Sequence, residues 1–280
     1  MTIYLFPGQG SQIKGMGSEL FSVFPELTTK ADALLGYSVQ TLCLDDPLEQ
    51  LGNTQYTQPA LYVVNALSYL NKTQNTGVQL DYFAGHSLGE YNALFAAGVF
   101  DFETGLTLVK KRGELMSQAT GGAMTAIIGL PLSIIQEILK NHPSVTIANY
   151  NSHTQTVISG LKTDVEKTHP LFEQAGAKMV IPLKVSGAFH SPCMATAQQE
   201  FAEFLKTFTF HPPNIPVIAN ITAQPYPTDN IAEYLASQIT QPVRWTETID
   251  YLLAKGETEF EEIGPGKVLT GLVKRIRNGS

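Results

Sequence analysis

Short apolar runs alternate with helical patterns along the first 120 residues of the chain. The runs at 2–6 and 81–85 have the length of strands, and a loop that contains glycine follows each of them. Asp101 has the side chain and the position of an N-cap for a helix that extends to about Gln118. This alternation favours a mostly parallel sheet with helices on both faces. Further helices are predicted near 16–23 and 59–72, and from the second loop to Gly98.

The pattern changes between residues 123 and 185, where four strands and two helices are predicted. Their order is βαββαβ, which is the ferredoxin-like arrangement. We therefore expect a small ferredoxin-like subdomain over residues 123–186, inserted into a larger one. The strands are predicted at Ala123–Gly129, Val145–Asn151, Thr156–Gly160 and Lys178–Val185, and the helices at Leu132–Asn141 and Asp164–Ala175.

The large subdomain is expected to comprise residues 1–122 and 187–280. Its predicted class is α/β, with a parallel sheet like that of the α/β-hydrolases. No internal repeat or long linker interrupts the chain, so both parts are expected to form one compact body. After the insert, helices are predicted at 195–206, 231–239, 245–255 and from about 267, with strands at 215–220 and 258–263.

Composition narrows the class of protein. Hydrophobic residues make up 43% of the 280 positions, which suffices for a sizeable core, and the net charge of −7 disfavours a nucleic-acid partner. Two cysteines, Cys43 and Cys193, indicate a reducing compartment rather than a disulfide framework. The N-terminus lacks a basic region, and no apolar stretch reaches the roughly 18 residues that span a bilayer. We therefore expect a cytoplasmic protein without a membrane partner.

The segment Gly85-His86-Ser87-Leu88-Gly89-Glu90 carries the most specific chemistry. It fits G-x-S-x-G between a predicted strand and a predicted helix, which is the pattern of a nucleophile elbow. Side chains at Gly85 and Gly89 would crowd the turn and the facing helix. The N–H of Leu88 would lie at a helix N-terminus, where it can hold an oxyanion. A plain strand-to-helix turn is the alternative.

A nucleophilic serine needs a base, and the chain has six histidines. His190 is the preferred candidate, because its loop follows the last strand of the insert and could reach the elbow. A surface-loop histidine is the alternative. His86 is expected to brace the elbow, and His153 lies in a polar turn. The remaining histidines each precede a proline, which predicts extended or turn positions; these are His142, His169 and His211.

A third, acidic member is not obvious. An acid between the serine and the histidine, at a strand end, would match the α/β-hydrolase order. Asp101 and Glu103 are typical of a helix start, however, and Asp164 and Glu166 belong to the insert. A backbone carbonyl can also orient an imidazole, so a serine–histidine dyad is chemically sufficient.

Arg112 is the most diagnostic charge in the sequence. In the helix from Asp101 it shares a face with the apolar residues that lie three and four positions away. An unpaired guanidinium on a buried face costs roughly 3–5 kcal/mol, so it needs an anion. That anion is either Glu90 or Glu114 in an internal salt bridge, or a substrate carboxylate that is held bidentately.

The loop Gly8-Gln9-Gly10 resembles a phosphate-binding loop only superficially. G-x-G-x-x-G would need a glycine where the chain has Ile13, and no Walker lysine follows. The N–H of Gln9 could instead supply a second donor to an oxyanion. No Cys/His cluster has zinc spacing, so no metal or cofactor is expected.

Together these segments resemble the malonyl-CoA:acyl-carrier-protein transacylases, most of all the free-standing acyltransferases that serve trans-acyltransferase polyketide synthases. The resemblance covers essentially the whole chain. The matching segments, besides the elbow, are Phe6–Gln12, Thr57-Gln58-Pro59-Ala60, Lys111-Arg112-Gly113, Ala188-Phe189-His190-Ser191, Gln241-Pro242-Val243-Arg244-Trp245 and Glu262–Leu269.

The resemblance implies a role for each matching residue. Ser87 would be the nucleophile and His190 the base, and the main-chain carbonyl of Gln241 would orient the histidine although many relatives have asparagine there. Ser186-Gly187-Ala188 matches the best-known selectivity signatures only in part, which leaves other extender units open. The remaining implied roles are the oxyanion hole at Gln9 and Leu88, the malonyl clamp at Arg112, the malonyl-selecting aromatic at Phe189 and substrate binding at Gln58.

The implied reaction is malonyl transfer from malonyl-CoA, through an acyl-serine, to the 4′-phosphopantetheine thiol of an acyl carrier protein, by a monomer. The pathway served could be polyketide or fatty-acid synthesis. An acyl hydrolase that clears stalled carrier proteins and an inactive docking module are the rival interpretations. The carrier protein would dock near basic residues that are otherwise ordinary solvated charges: Arg244, Lys267, Lys274, Arg275 and Arg277.

Overall fold

The computed structural model describes residues 2–74, 79–185 and 187–279. Ser186, the first residue of the partial selectivity signature, lies outside them. The strands are β1 (Thr2–Phe6), β2 (Leu80–Gly85), β3 (Gly122–Ile128), β4 (Val145–Ser152), β5 (Gln155–Leu161), β6 (Met179–Pro182), β7 (Val217–Ile218) and β8 (Glu259–Glu262). The helices are α1 (Leu20–Val23), α2 (Pro25–Leu35), α3 (Val39–Leu44), α4 (Thr54–Thr73), α5 (Gly89–Ala96), α6 (Phe102–Gln118), α7 (Leu132–Leu139), α8 (Lys162–Gln174), α9 (Ala195–Leu205), α10 (Ile231–Ser237), α11 (Trp245–Ala254) and α12 (Val268–Arg277).

The larger sheet has the strand order β7-β2-β1-β8, and all of its neighbouring strands are parallel. One face carries a core that includes Phe6, Leu61 and Phe83, and the other packs against Trp245 and Leu269. The expected parallel sheet with helices on both faces is therefore confirmed. Because parallel strands end at one edge, the loops after β1 and β2 lie side by side.

The smaller sheet is antiparallel, with the order β4-β5-β3-β6. This is the strand order of a ferredoxin-like unit. Its helices pack on one face, where Ile135, Val165 and Phe172 are buried together with residues of the strands. The expected second subdomain is thus present in the fold, although its limits at residues 123 and 186 stay predictions.

Backbone hydrogen bonds connect strand β4 to Val243, which lies outside both sheets. The N–H of Tyr150, in β4, donates to the carbonyl of Val243 at 2.9 Å, and the N–H of Val243 donates to Ala148 at 2.8 Å. The small sheet is therefore held against the segment that precedes α11.

Several elements differ from the sequence expectations. The helix expected over 16–23 is reduced to α1, because Gly17 adopts the left-handed region with φ of 77°. The sequence predicts neither α2 nor α3. In α2 the buried face includes a threonine, Thr28, which interrupts the apolar pattern that would indicate a helix. Helix α4 begins at Thr54 with Pro59 inside it, so the proline does not mark its start. Strand β6 is shorter than Lys178–Val185 because it ends at a proline.

No helix in the described parts of the chain is long and apolar enough to cross a membrane.

Candidate active site

The G-x-S-x-G segment forms a tight turn between β2 and α5. Ser87 has a φ of 51°, a left-handed conformation that is strained for a residue with a side chain. A Cβ on Gly85 would lie 2.0 Å from the backbone of Gly89, and a Cβ on Gly89 would lie 2.0 Å from the carbonyl oxygen of Phe6. Both glycines are therefore required by close backbone approach, as their spacing predicted.

Ser87 and His190 lie in direct contact. The Oγ of Ser87 is 2.7 Å from Nε2 of His190, which is buried and also has a positive φ, 55°. The other ring nitrogen, Nδ1, donates to two backbone carbonyls: that of Gln238 at 2.8 Å and that of Gln241 at 3.1 Å. Sequence reasoning named only Gln241 and missed the nearer acceptor. Among the described residues no carboxylate orients this histidine.

The environment keeps His190 neutral. Burial is the main cause that lowers its pKa to about 3, and the positive charge of Arg112 lowers it further. Hydrogen bonds to the carbonyls of Gln238 and Gln241 act in the opposite direction and are outweighed. Because Nδ1 is the donor to those carbonyls, Nε2 is left as an acceptor for the serine proton.

Two backbone N–H groups flank the serine. A Cβ on Gly8 would lie 2.3 Å from the carbonyl oxygen of His86 and 3.6 Å from the nitrogen of Leu88, so the loop after β1 touches the elbow. Within the described residues, neither the N–H of Gln9 nor that of Leu88 donates to a protein acceptor. This pair of free donors is what an oxyanion hole requires.

Arg112, on α6, lies beside the serine hydroxyl. It is 1% exposed, and its guanidinium donates to Oε1 of Gln58 at 2.7 Å, to Oγ of Ser87 at 3.1 Å and to Oε1 of Gln238 at 2.9 Å. These acceptors are all neutral. In the described parts of the chain Arg112 forms no ion pair, so neither Glu90 nor Glu114 closes the predicted internal salt bridge.

A second layer of polar side chains supports the serine from below. Asn220 accepts from the N–H of Ser87 at 2.7 Å and donates to the carbonyl of Gly85 at 2.7 Å. Glu90 accepts from Tyr226, from the N–H of Asn220 at 3.0 Å and from Nε2 of Gln238 at 3.0 Å. Burial is the main cause that raises the pKa of Glu90 to about 7.

The sequence offered one signal for this layer, which is the position of Glu90 directly after the elbow. Asn220 and Gln238 lie in segments without a motif of their own.

The cavity above the serine is small and mostly apolar. It has a volume of about 90 Å³ and adjoins a second cavity of about 170 Å³, which shares the residues Gln9, His86, Asn149 and Leu183 with it. Phe189, Met116 and Met124 supply apolar walls, and Gln58 and Arg112 supply polar ones. Every residue with a predicted catalytic, oxyanion-binding or substrate-binding role lines the smaller cavity.

The other histidines lie outside the dyad. His86 bonds Oδ1 of Asn151 at 2.9 Å, and its ring packs at a tilt against that of Trp245, which fits its expected bracing position. His153 lies 3.9 Å from Asp250. The expectation for His169 was wrong: it lies inside α8, because Pro170 is accommodated within that helix, and its ring bonds Thr125.

None of the basic residues that are predicted for carrier docking lines the smaller cavity, but the second cavity is lined by Val268, next to Lys267, and by Gln155, a partner of Arg275. Arg244 pairs with Glu247 at 2.8 Å through its Nε, and Arg275 bonds Gln155. Lys274 and Arg277 line a separate cavity beside β8.

Comparison with known proteins identifies relatives over the full length. A family model described as the acyl transferase domain matches residues 3–278. The polyketide biosynthesis malonyl CoA-acyl carrier protein transacylase BaeC of Bacillus velezensis is 57% identical over 99% of this chain and 97% of its own length.

Solved structures agree with this result. A malonyl CoA-acyl carrier protein transacylase from Burkholderia pseudomallei has a TM-score of 0.96 and is 52% identical, over 100% of this chain and 99% of its own. A complex described as PlMCAT:AntF, a type II PKS acyl-carrier protein with its malonyl-transacylase, has a TM-score of 0.94. It is 38% identical over 99% of this chain and 93% of its own.

Proposed function

The chain belongs to the acyl transferase family, and from that premise we propose that it transfers a malonyl group from malonyl-CoA to an acyl carrier protein. The acceptor is the phosphopantetheine thiol of a carrier that serves a polyketide synthase in trans. One observation carries the proposal: the buried guanidinium of Arg112 lies 3.1 Å from the serine hydroxyl and has no carboxylate partner among the described residues. A diacid thioester supplies both the anion for Arg112 and the carbonyl for Ser87.

In the first half-reaction His190 accepts the proton of Ser87 on Nε2 while the serine Oγ attacks the thioester carbonyl. The tetrahedral oxyanion accepts hydrogen bonds from the N–H groups of Gln9 and Leu88, each worth about 2.7–4 kcal/mol. When the carbon–sulfur bond breaks, His190 returns its proton to the sulfur of coenzyme A. The product is a malonyl ester on Ser87.

The second half-reaction reverses these steps with a different thiol. His190 accepts the proton of the pantetheine thiol, the thiolate attacks the malonyl ester, and Ser87 regains its proton as the ester bond breaks. The carbonyls of Gln238 and Gln241 hold the imidazole N–H in both steps, which replaces the acid of a triad.

Arg112 provides selectivity for the acyl group. An uncharged acetyl group leaves the guanidinium without an anion, whereas a malonyl carboxylate satisfies it with Gln58 alongside. Phe189 lies in the same cavity, and its ring restricts a branch at the 2-position of the acyl group. The proposal has two further parts. The carrier protein docks on the basic residues near α12, and the enzyme acts as a monomer.

Intact-mass analysis after mixing with malonyl-CoA tests the function. We expect a malonyl adduct on Ser87 that persists in water and disappears when a carrier protein bearing pantetheine is added. Prompt release of free malonate without a carrier would instead identify an acyl hydrolase. No adduct at all would identify an inactive docking module. Carriers from polyketide and fatty-acid synthesis, compared in the same assay, would separate these two pathways.

The low pKa of His190 predicts an unusual pH profile. A base acts only when neutral, so a pKa of about 3 keeps kcat/KM for acylation nearly constant from pH 8 down to pH 5. An ordinary histidine, with a pKa near 6.5, would lose roughly 30-fold by pH 5.

Stopped-flow release of coenzyme A, with circular dichroism as the control for folding at each pH, measures this profile. Glu90 does not touch the reacting atoms but contacts them through Gln238, so its titration near pH 7 is expected to add a separate step of only a few-fold. A loss of roughly 30-fold by pH 5, centred near pH 6.5, would contradict the prediction.

A further inference from the structure

The side chain and backbone of Gln238 contact Ser87, His190 and Arg112, three residues of the proposed machinery. Its Oε1 accepts from Arg112 at 2.9 Å, and its Nε2 donates to the carbonyl of Ser87 at 2.9 Å and to Glu90 at 3.0 Å. Its own carbonyl is the nearer acceptor for His190, at 2.8 Å. The residue is fully buried, so solvent cannot replace any of these partners.

The partners allow only one orientation of this amide. Nε2 faces two acceptors, a backbone carbonyl and a carboxylate, and Oε1 faces a guanidinium that can only donate. A flipped amide would set donor against donor at Arg112 and acceptor against acceptor at Glu90. The orientation of Gln238 is therefore fixed by the guanidinium on one side and by the carboxyl group and the backbone carbonyl on the other.

Glu90 is the carboxylate at the far end of this chain of bonds. It lies in the first turn of α5, is 1% exposed, and is paired only with neutral donors among the described residues. A single amide thus stands between a buried carboxylate and a buried guanidinium, with bonds to both. Such a bridge holds the guanidinium in place. It does not neutralise the positive charge directly, whereas a contact ion pair would.

We propose that Gln238 is a positioning residue that links Arg112 to the buried carboxylate of Glu90 and thereby sets the preference for a diacid acyl group. The inference rests on the proposed function of the site. Glu90 orients the amide, the amide holds the guanidinium beside Ser87, and the guanidinium stays available for the substrate carboxylate. Gln238 itself need not touch the substrate.

The ratio of malonyl to acetyl acylation rates in Gln238→Met tests the proposal. Methionine keeps the length of the side chain and the backbone carbonyl for His190 but removes all three hydrogen bonds of the side-chain amide. We expect the ratio to fall at least about tenfold, the size of effect that one hydrogen bond to a charged group carries. Loss of the hydrogen bond to the carbonyl of Ser87 slows acylation by both thioesters equally, so this effect cancels in the ratio of the two rates.

The ratio also cancels the fraction of active enzyme, so partial unfolding does not alter it. Gln238→Asn, which draws the amide back by one methylene, is a milder variant should the methionine variant fail to fold, and its ratio is expected to fall as well. Gln199→Met is the matched control, because this glutamine is exposed on α9. An unchanged or increased ratio in the Gln238 variants would overturn the proposal.

A double-mutant cycle tests the part played by Glu90. Glu90→Gln is expected to change the ratio by at least about threefold alone and by less than about twofold in the Gln238→Met background, because it acts through the amide. Full additivity, or no effect of Glu90→Gln alone, would overturn this link.

The wild-type enzyme in the same assay separates this inference from the proposed function. If the wild type forms no malonyl adduct, the proposed function fails. If it does and both acyl groups slow equally in Gln238→Met, only the inference about Gln238 fails.

Discussion

Replacing Ser87 with Ala is expected to abolish the malonyl adduct and to lower carrier malonylation by at least roughly 10⁴-fold. The reason is that the hydroxyl is both the attacking group and the acyl carrier between the half-reactions, so the oxyanion donors have no tetrahedral intermediate to stabilise. The measurement combines intact mass after exposure to malonyl-CoA with the rate of transfer to a carrier.

Ser22→Ala provides the control, because this hydroxyl is exposed and bonds only the carbonyl of Glu19 among the described residues. Its adduct and transfer rate are expected to match those of the wild type. Cys193 is an exposed thiol three residues after His190 and is the most obvious competing nucleophile. An adduct that persists in Ser87→Ala and maps to Cys193 would refute the assignment of the serine.

The parts of the site that could be predicted from sequence follow from local geometry. The elbow could be predicted because close backbone approach at Gly85 and Gly89 excludes any side chain, so that glycines are required at a fixed spacing in the sequence. Arg112 is readable because helical periodicity places a charge on an apolar face, and the structure indeed buries it. The βαββαβ order is readable for the same reason, since the period of the apolar pattern changes at each element.

The parts that could not be predicted depend on contacts between distant segments. Gln238 reaches Glu90 across 148 positions and Ser87 across 151, and neither contact leaves a local pattern. Any residue type can supply a backbone carbonyl to orient His190. The identity of the residues at 238 and 241 therefore does not reveal which carbonyl is nearer to the histidine. The unpredicted helix α2 illustrates the same limit, because its apolar face is completed by threonine and by packing against α6.

Replacing Arg112 with Ala is expected to slow acylation by malonyl-CoA about 30-fold to several thousandfold while acylation by acetyl-CoA is spared or raised. Removing one partner of a buried charge pair costs about 2–5 kcal/mol, and here the pair exists only with the diacid. An acetyl group carries no anion to pair with the guanidinium, so removal of the charge is not expected to slow its transfer. Single-turnover rates with both thioesters give the comparison.

A second readout of the same variant comes from the histidine. The charge of Arg112 is one cause of the low pKa of His190, so its removal is expected to move the acid limb of acylation to higher pH. Lys111→Ala is the matched control, because Lys111 lies next to it on α6 but its ammonium faces the ring of Phe204 at 6.0 Å. Equal losses for malonyl and acetyl groups would reject the clamp, since a guanidinium that only supports the fold would slow both alike.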